Sequence, residues 1–190
     1  MSLTLGCHTA KLPIVQGGMG IGISLSRLAG AVAKCGGVGT ISGVHPGYRE
    51  PEFAKDPFRT NLQAIGRELS RARQIAPEGV IGFNFMSVMN HYDAYVREAI
   101  AQGADFIVSG AGLPTGLAKL AQGTKTAILP IVSSARALRL IVKSWLRADK
   151  LPDAVVVEGP LAGGHLGFKY DDMVSGDFPS LDDCLTEVLD

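Results

Sequence analysis

Residues 80–110 read VIGFNFMSVMNHYDAYVREAIAQGADFIVSG and contain the pattern that decides the fold. The runs VIGFNFM and FIVSG are apolar without alternation, which is typical of strands buried on both faces of a parallel sheet. Between them, Val96 and Ala99 lie on one face of a helical stretch from Tyr92 to Gln102. Gly103 follows, where a left-handed residue commonly ends a helix. The stretch predicts a strand, a crossover helix and a second strand parallel to the first.

The same order of apolar run and helical pattern recurs along the chain. Further strands are predicted at 13–18, 38–42, 127–134 and 154–159. A helix over 61–76 places apolar residues along one stripe, with Arg67, Glu68 and Arg71 towards solvent. Ser134 and Ser180 are predicted to cap two later helices. Such alternation restricts the fold to an open doubly wound sheet or a (β/α)₈ barrel.

Small or polar residues close nearly every predicted strand. A barrel gathers all of its C-terminal strand ends at one site, whereas an open sheet uses mainly those at its switch point. This distribution favours an α/β fold of the (β/α)₈ TIM-barrel type. A complete barrel has eight strands, and six can be recognised in this sequence. We therefore expect residues 1–190 to form a single barrel domain, truncated after about six βα units and incomplete at its C-terminus.

Composition excludes several classes of function. Hydrophobic residues make up 46% of the chain, and 18 basic residues balance 18 acidic residues without a dense basic cluster, so no nucleic-acid partner is expected. The three cysteines show no metal-ligand spacing, and no metal site is predicted. No signal peptide or membrane span is recognised, which predicts a cytoplasmic protein without a membrane partner.

Common nucleotide and hydrolase motifs are also missing. GGMGIG at 17–22 lacks the G-x-G-x-x-G spacing, and no acidic residue ends the second predicted strand. The P-loop lysine motif, G-x-S-x-G and HExxH do not occur. The sequence therefore gives no support to a Rossmann site or to hydrolysis by these routes.

The segment EGPLAGGHLG at 158–167 follows the last predicted strand and contains four glycines. Glycine loses more backbone freedom on folding than any other residue, so this density indicates a surface where backbone approaches a ligand. Histidine can transfer a proton near neutral pH, which makes His165 a candidate base. The alternative is a tight turn with His165 in solvent.

Several blocks together resemble the nitronate monooxygenase family, formerly called 2-nitropropane dioxygenases, including its FMN-dependent enoyl-ACP reductase branch. They occur in the family's order between about Leu12 and Tyr170, and the most specific are QGGM and AGGHLG. The full set reads LPIVQGGMGIGIS, LAGAVAKCGGVGTI, IGFNFM, IVSGAG, ILPIVSS and VVVEGPLAGGHLGF. The resemblance implies a (β/α)₈ barrel that holds FMN non-covalently above the C-terminal ends of its strands.

The resemblance also implies roles for individual residues. His165 would be catalytic, facing the flavin and substrate. The implied FMN contacts are Gly18, Met19, Gly20, Asn84, Ser109, Gly110, Glu158, Gly163 and Gly164. Two of these have open alternatives, since Asn84 could bond a backbone group and Glu158 could hold a loop amide instead of FMN.

Three functions follow from these observations. The first is an FMN-dependent nitronate monooxygenase that oxidises small alkyl nitronates with O₂, and the second is an enoyl-ACP reductase that uses NAD(P)H. The third is an inactive fragment or interaction module, because the family's two phosphate-gripping turns would come after residue 190. A homodimer is possible under all three readings.

The loop VHPGYREPEFAKDPF at 44–58 is longer than most connections in α/β proteins. Its prolines and aromatic residues are compatible with a lid over the site. A packed surface excursion explains them equally well, and the sequence leaves both interpretations open.

Overall fold

The computed structural model describes residues 1–190, in which seven strands alternate with helices. The strands are β1 (Leu3–Leu5), β2 (His8–Ala10), β3 (Val38–Ser42), β4 (Val80–Met86), β5 (Phe106–Gly110), β6 (Ala127–Val132) and β7 (Val156–Val157). The helices are α1 (Ser26–Lys34), α2 (Pro57–Ile75), α3 (Tyr92–Ala101), α4 (Leu117–Leu120), α5 (Ala135–Trp145), α6 (Tyr170–Ser175) and α7 (Leu181–Leu189).

Strands β3 to β7 form one curled parallel sheet in chain order, which is the wall of a half-barrel. The register pairs Ser42 with Asn84 and Asn84 with Val108. The βα order and the parallel sheet predicted from the sequence are confirmed. Because the chain reaches β7 with five sheet strands, it builds one side of a barrel.

The strand predicted over 13–18 is wrong, because only Val15 forms a bridge, to Val38. Beyond it, the side chain of Gln16 takes over the pairing with β3. Its Oε1 accepts from the Thr40 backbone N–H at 3.2 Å, and its Nε2 donates to the Thr40 carbonyl at 3.0 Å. A side-chain amide thus occupies ladder positions that a backbone amide would fill, and the chain turns away from the sheet.

The two faces of the sheet have different cores. Helices cover the outer face, where Phe83, Phe85 and Ile107 of the strands pack with helix residues such as Trp145. On the inner face, Val80, Phe106 and Leu129 pack with Leu5 and Ala10 of the N-terminal hairpin β1–β2. This hairpin therefore fills the half-barrel below the strand ends. Its strands of three residues are too short to produce a recognisable sequence pattern.

The helix signals are confirmed with one exception. Ser134 accepts from the Ala137 N–H at 3.3 Å, and Ser180 forms a capping box with Asp183, whose pKa is lowered by the hydrogen bonds from Ser180. Glu68 is buried rather than solvent-facing, since its Oε2 accepts from the Ser26 N–H at 2.9 Å where α1 begins. A carboxylate at a helix N-terminus is stabilised by the unpaired N–H groups there, which explains its burial.

The long loop after β3 is a packed surface excursion. Gly47 donates its N–H to Asn61 Oδ1 at 3.1 Å, and Glu50 pairs with Arg67 of α2 at 2.7 Å. The ring of Tyr48 lies against Gly22. Contacts on both flanks hold the loop in place, so the lid interpretation has no support in its packing. None of the helices is both long and apolar enough to cross a membrane.

Candidate active site

A cleft with a volume of about 1190 Å³ opens at the carboxyl ends of the sheet strands. In a parallel α/β sheet this edge collects the loops that carry function. Nine of the ten residues implied as site residues line the cleft: Gly18, Met19, Gly20, Asn84, Gly110, Glu158, Gly163, Gly164 and His165. Segments from five separate parts of the chain are therefore brought to one surface by the fold.

The first wall of the cleft is the segment 16–24, called here the QGGM turn. The Gln16 amide donates to the Gly17 carbonyl at 2.6 Å and to Ser24 Oγ at 2.8 Å, besides its two bonds to Thr40. Ser24 is fully buried, and its Oγ also accepts from the Met19 N–H at 2.9 Å. These bonds fix the backbone of the turn from beneath and leave its glycines at the surface of the cleft.

Gly18 lies directly against Asn84 of β4. A Cβ at position 18 would fall 2.5 Å from the Cβ of Asn84, so any other residue would displace one of the two segments. The backbone of Asn84 is paired in the sheet and with the Gly43 N–H, but its side-chain amide makes no hydrogen bond within the chain. The amide is half-buried in the cleft wall, where it can donate and accept bonds with a bound molecule.

The opposite wall is the segment 162–167, called here the AGGHLG loop. Glu158 Oε2 accepts from the Gly167 N–H at 3.0 Å, and Ser133 Oγ donates to the Gly167 carbonyl at 3.1 Å. Of the two roles left open for Glu158, the structure shows the loop clamp. His165 is exposed and makes no hydrogen bond within the chain, and it borders the same cleft as Asn84.

Two of the three glycines of the AGGHLG loop, Gly163 and Gly164, are not explained by packing within the chain, whereas a Cβ at Gly167 would fall 2.5 Å from Ser133 Oγ. A Cβ added at Gly163 or Gly164 would meet no protein atom within 4 Å. Gly164 has a φ of +89°, which disfavours other residues, whereas Gly163 has no such constraint. A side chain at position 163 would therefore occupy space in the cleft, which is the property expected of a surface that lies close to a ligand.

Ser109 is the one implied site residue that does not line the cleft. It is fully buried, and its Oγ accepts a hydrogen bond from the Tyr92 hydroxyl at 2.9 Å. Burial raises the pKa of Tyr92 to about 12, and the bond to Ser109 opposes that rise only in part. Ser109 thus ties α3 to the back of β5, while its neighbour Gly110 reaches the cleft.

The lining suits a flat, uncharged ring better than a phosphate. Twelve of its 25 residues are hydrophobic, eight are glycines, and no lysine or arginine is present. The charged side chain is Glu158, which is already bonded to Gly167. Glycine backbone and the free Asn84 amide can contact the face and polar edge of a ring, whereas an anionic group would find no cationic partner in this lining.

Sequence reasoning missed the residues that shape the two walls. Gln16 and Ser24 hold the QGGM turn, and Ser133 holds the AGGHLG loop. One signal could have identified Gln16, because it is a polar residue at the end of an apolar run. Such a residue must find hydrogen-bond partners when it is buried. Ser24 and Ser133 carry no comparable signal, because serine is common at the ends of strands and loops.

Comparison with known proteins gives one family and a set of similar structures. Residues 2–189 match the family model described as nitronate monooxygenase. FabK from Thermotoga maritima is 28% identical with a TM-score of 0.65, over 84% of this chain and 44% of that protein. Nitroalkane oxidase from Streptomyces ansochromogenes is 20% identical with a TM-score of 0.72, over 95% of this chain and 56% of that protein.

The present chain thus spans about half the length of the solved structures that it matches. Among curated proteins, none matches it. The nitroalkane oxidase likeness, at its low identity, supports the fold, and the family model supports the assignment over nearly the entire sequence. This chain belongs to the nitronate monooxygenase family.

Proposed function

We propose that this protein is an FMN-dependent oxidoreductase acting on a small molecule in the cleft at the strand ends. The observation that carries the proposal is the convergence of the QGGM turn, Asn84 and the AGGHLG loop on a single cleft. Membership of the nitronate monooxygenase family supports a flavin as the group that this cleft holds.

The residues present fit the ring of FMN. The N–H groups of Gly18 and Gly20 and the amide of Asn84 would bond its polar edge, Met19 would contribute its position in the turn since its own N–H is bonded to Ser24, and Gly163 would leave space against the face of the ring. Bound FMN would supply the electron acceptor for the reaction. The phosphate would lie outside the lining described above, which contains no lysine or arginine.

Within this cleft, His165 would take a proton from the substrate or orient it. Its ring has no partner in the chain and is therefore available to a bound molecule. The favoured reaction is oxidation of an alkyl nitronate with O₂. An apolar lining that includes Ile21, Val44 and Leu113 suits the alkyl chain of a short substrate.

The test first measures binding by titrating the purified protein with FMN and, separately, with FAD. The FMN-loaded protein is then mixed anaerobically with each candidate electron donor, and the loss of flavin absorbance is followed. We expect FMN to bind more tightly than FAD, and a small alkyl nitronate to bleach the bound flavin faster than NADH or NADPH does. Failure of the protein to bind FMN would overturn the cofactor assignment. Rapid bleaching by NAD(P)H together with turnover of a crotonyl thioester would replace the monooxygenase proposal with the enoyl reductase.

Replacement of His165 tests its assigned role. In His165→Ala we expect flavin content and folding to be retained, while turnover falls by about a hundredfold, the usual effect of losing a positioned general base. Leu161→Ala is a matched control in the same connection, because Leu161 is 88% exposed and does not line the cleft. An FMN-loaded His165→Ala protein with the parent's rate would remove His165 from the mechanism.

A further inference from the structure

Three side chains that together could activate a thiol meet at the end of the half-barrel opposite the cleft. Cys7 occupies the two-residue turn between β1 and β2, and His8 follows it. The Cys7 Sγ lies 3.5 Å from His8 Nε2, and His8 Nδ1 lies 3.4 Å from Asp105 Oδ1. Asp105 precedes β5, so this cluster is at the amino ends of the strands.

The partners of His8 restrict its protonation. Asp105 offers a carboxylate that can only accept, so this contact favours the ring form with a proton on Nδ1, while the other carboxylate oxygen accepts from Arg73 at 2.7 Å and from the Ile81 N–H at 2.8 Å. Nε2 lies 3.0 Å from the Lys125 carbonyl, which is also an acceptor and lies 3.7 Å from the Cys7 sulfur, and at the same time Nε2 faces that sulfur. If Nε2 is protonated, the ring is a cation beside the sulfur, and if it is not, the ring can accept the thiol proton.

Both states help Cys7 to react as a thiolate. An imidazolium beside the sulfur stabilises negative charge on it, and a neutral ring oriented by Asp105 acts as its base. The thiol is exposed, so a reagent can reach it. The nucleophile, the base and the group that orients the base therefore occupy the relative positions that thiol activation requires.

The other two cysteines have different surroundings. Cys35 is exposed at the C-terminal end of α1, where the helix dipole disfavours a negative charge. Cys184 is buried in α7, and burial raises the pKa of its thiol, with Glu187 and Asp183 adding to the effect. The chain thus contains an exposed thiol without a histidine partner and a protected thiol that can serve as internal controls.

We propose that Cys7 is a reactive thiol that undergoes exchange with low-molecular-weight disulfides, assisted by His8 and Asp105. The thiol proton passes to His8 or to water, and the Cys7 thiolate attacks one sulfur of the disulfide. A new S–S bond forms as the original one breaks, and the other half of the reagent leaves as a thiolate. The product is a mixed disulfide at Cys7, and no further oxidant is needed.

The experiment measures the reaction rate of each cysteine with dithiodipyridine, an uncharged disulfide, and locates the adducts by peptide mass spectrometry. At pH 7 we expect Cys7 to react at least about tenfold faster than Cys35, with Cys184 unmodified while the protein is folded. The advantage of Cys7 over Cys35 should increase as the pH is lowered to 6. A Cys35 rate equal to that of Cys7 at both pH values would overturn the proposal.

His8→Gln separates the effect of the histidine from exposure alone. A glutamine can still donate to the Lys125 carbonyl but can neither carry the charge nor accept the thiol proton. We expect the Cys7 rate to fall by about tenfold and the Cys35 rate to stay within about twofold of the parent. Protection of Cys184 reports that the variant is folded. An unchanged Cys7 rate in a variant whose Cys184 stays protected would refute the role of His8. If Cys184 becomes reactive, the variant is unfolded, and the rates of Cys7 and Cys35 in the parent protein then test the proposal.

Discussion

The two glycine-rich walls of the cleft are built in different ways. In the QGGM turn, Gln16 and the fully buried Ser24 bond the backbone from beneath. In the AGGHLG loop, the tie is at Gly167, where Glu158 and Ser133 bind its N–H and carbonyl, and residues 162–165 before it are exposed. One wall is fixed along its length, and the other is fixed at one end.

This difference shows that two glycine-rich segments can contain glycine for different structural reasons. Gly18 is required by the contact with Asn84, whereas Gly163 has no neighbour that requires it. A turn that is hydrogen-bonded from beneath defines where a ring can lie, and a loop held at one end can adjust to what lies on that ring. The following substitutions test this contrast, beginning with the one for which we expect the largest effect.

Gly18→Ala and Gly163→Ala form a matched pair. The new methyl at position 18 would fall 2.5 Å from the Asn84 Cβ, so we expect a loss of about 3 kcal/mol in the free energy of unfolding, the upper end for overpacking. Gly163→Ala should change it by less than about 0.5 kcal/mol, because no atom lies within 4 Å. Urea denaturation measures both, and equal losses would contradict the contrast between the walls.

Gln16→Ala removes the side chain that supports the first wall. Its amide bonds Thr40, Gly17 and Ser24, and truncation leaves the Thr40 backbone N–H and carbonyl without partners. We expect the free energy of unfolding to fall by about 2 kcal/mol, the cost of buried groups left unsatisfied. Ser133→Ala, which removes one bond from the second wall, is the control and should cost less than about 1 kcal/mol. If Ser133→Ala lowered the free energy of unfolding more than Gln16→Ala does, the AGGHLG loop rather than the QGGM turn would be the more rigid wall.

Tyr92, which is bonded to Ser109 behind the cleft, makes the stability of the fold depend on pH. Burial raises its pKa to about 12 in the folded protein, above the value of 10.0 expected when it is unfolded, so folding favours the protonated phenol. Its contribution to stability is therefore complete below pH 10 and is lost as the pH rises towards 12. Unfolding measured between pH 9 and pH 12 should show this loss, and Tyr92→Phe should reduce it while costing about 1 kcal/mol through the lost bond to Ser109. An identical pH profile in Tyr92→Phe would assign the loss to other groups.

Glu158→Gln should produce the smallest change. The amide oxygen of glutamine can still accept from the Gly167 N–H, so we expect the free energy of unfolding to stay within about 0.5 kcal/mol of the parent. Glu158→Ala removes the acceptor, and hydrogen exchange at the Gly167 amide should then accelerate. Unchanged exchange at that amide in Glu158→Ala would show that Ser133 alone holds the loop.

The parts of the fold that could be predicted are those governed by local patterns. The apolar runs of β4 and β5, the helix between them, and the left-handed Gly103 all occur as expected. The failures depend on tertiary contacts. Glu68 looked like a solvent-facing residue until the N-terminus of α1 was placed against it, and no local pattern distinguishes these two cases.

The cleft shows the same division. Glycines and the polar residue Asn84 at strand ends marked the lining correctly by position, because strand order alone decides which ends meet. Ser109, which the resemblance implied as an FMN contact, is buried behind the cleft, and this position could not be foreseen because its bond to Tyr92 depends on how α3 packs. Whether the lining residues contact FMN stays a prediction that the binding experiments above will decide.

The N-terminal hairpin has a consequence for the order in which this chain folds. Its residues pack on β4, β5 and β6, and His8 reaches the Lys125 carbonyl across a sequence separation of 117 residues. Contacts between distant segments form late, because the entropy of closing the loop between them must be met first. During synthesis, the hairpin is made before the strands on which it packs, and its contacts with β6 and Lys125 are the last that can form. The unit from β4 to β5 can form from local contacts in the meantime, so the hairpin, although made earlier than this unit, reaches its native place later.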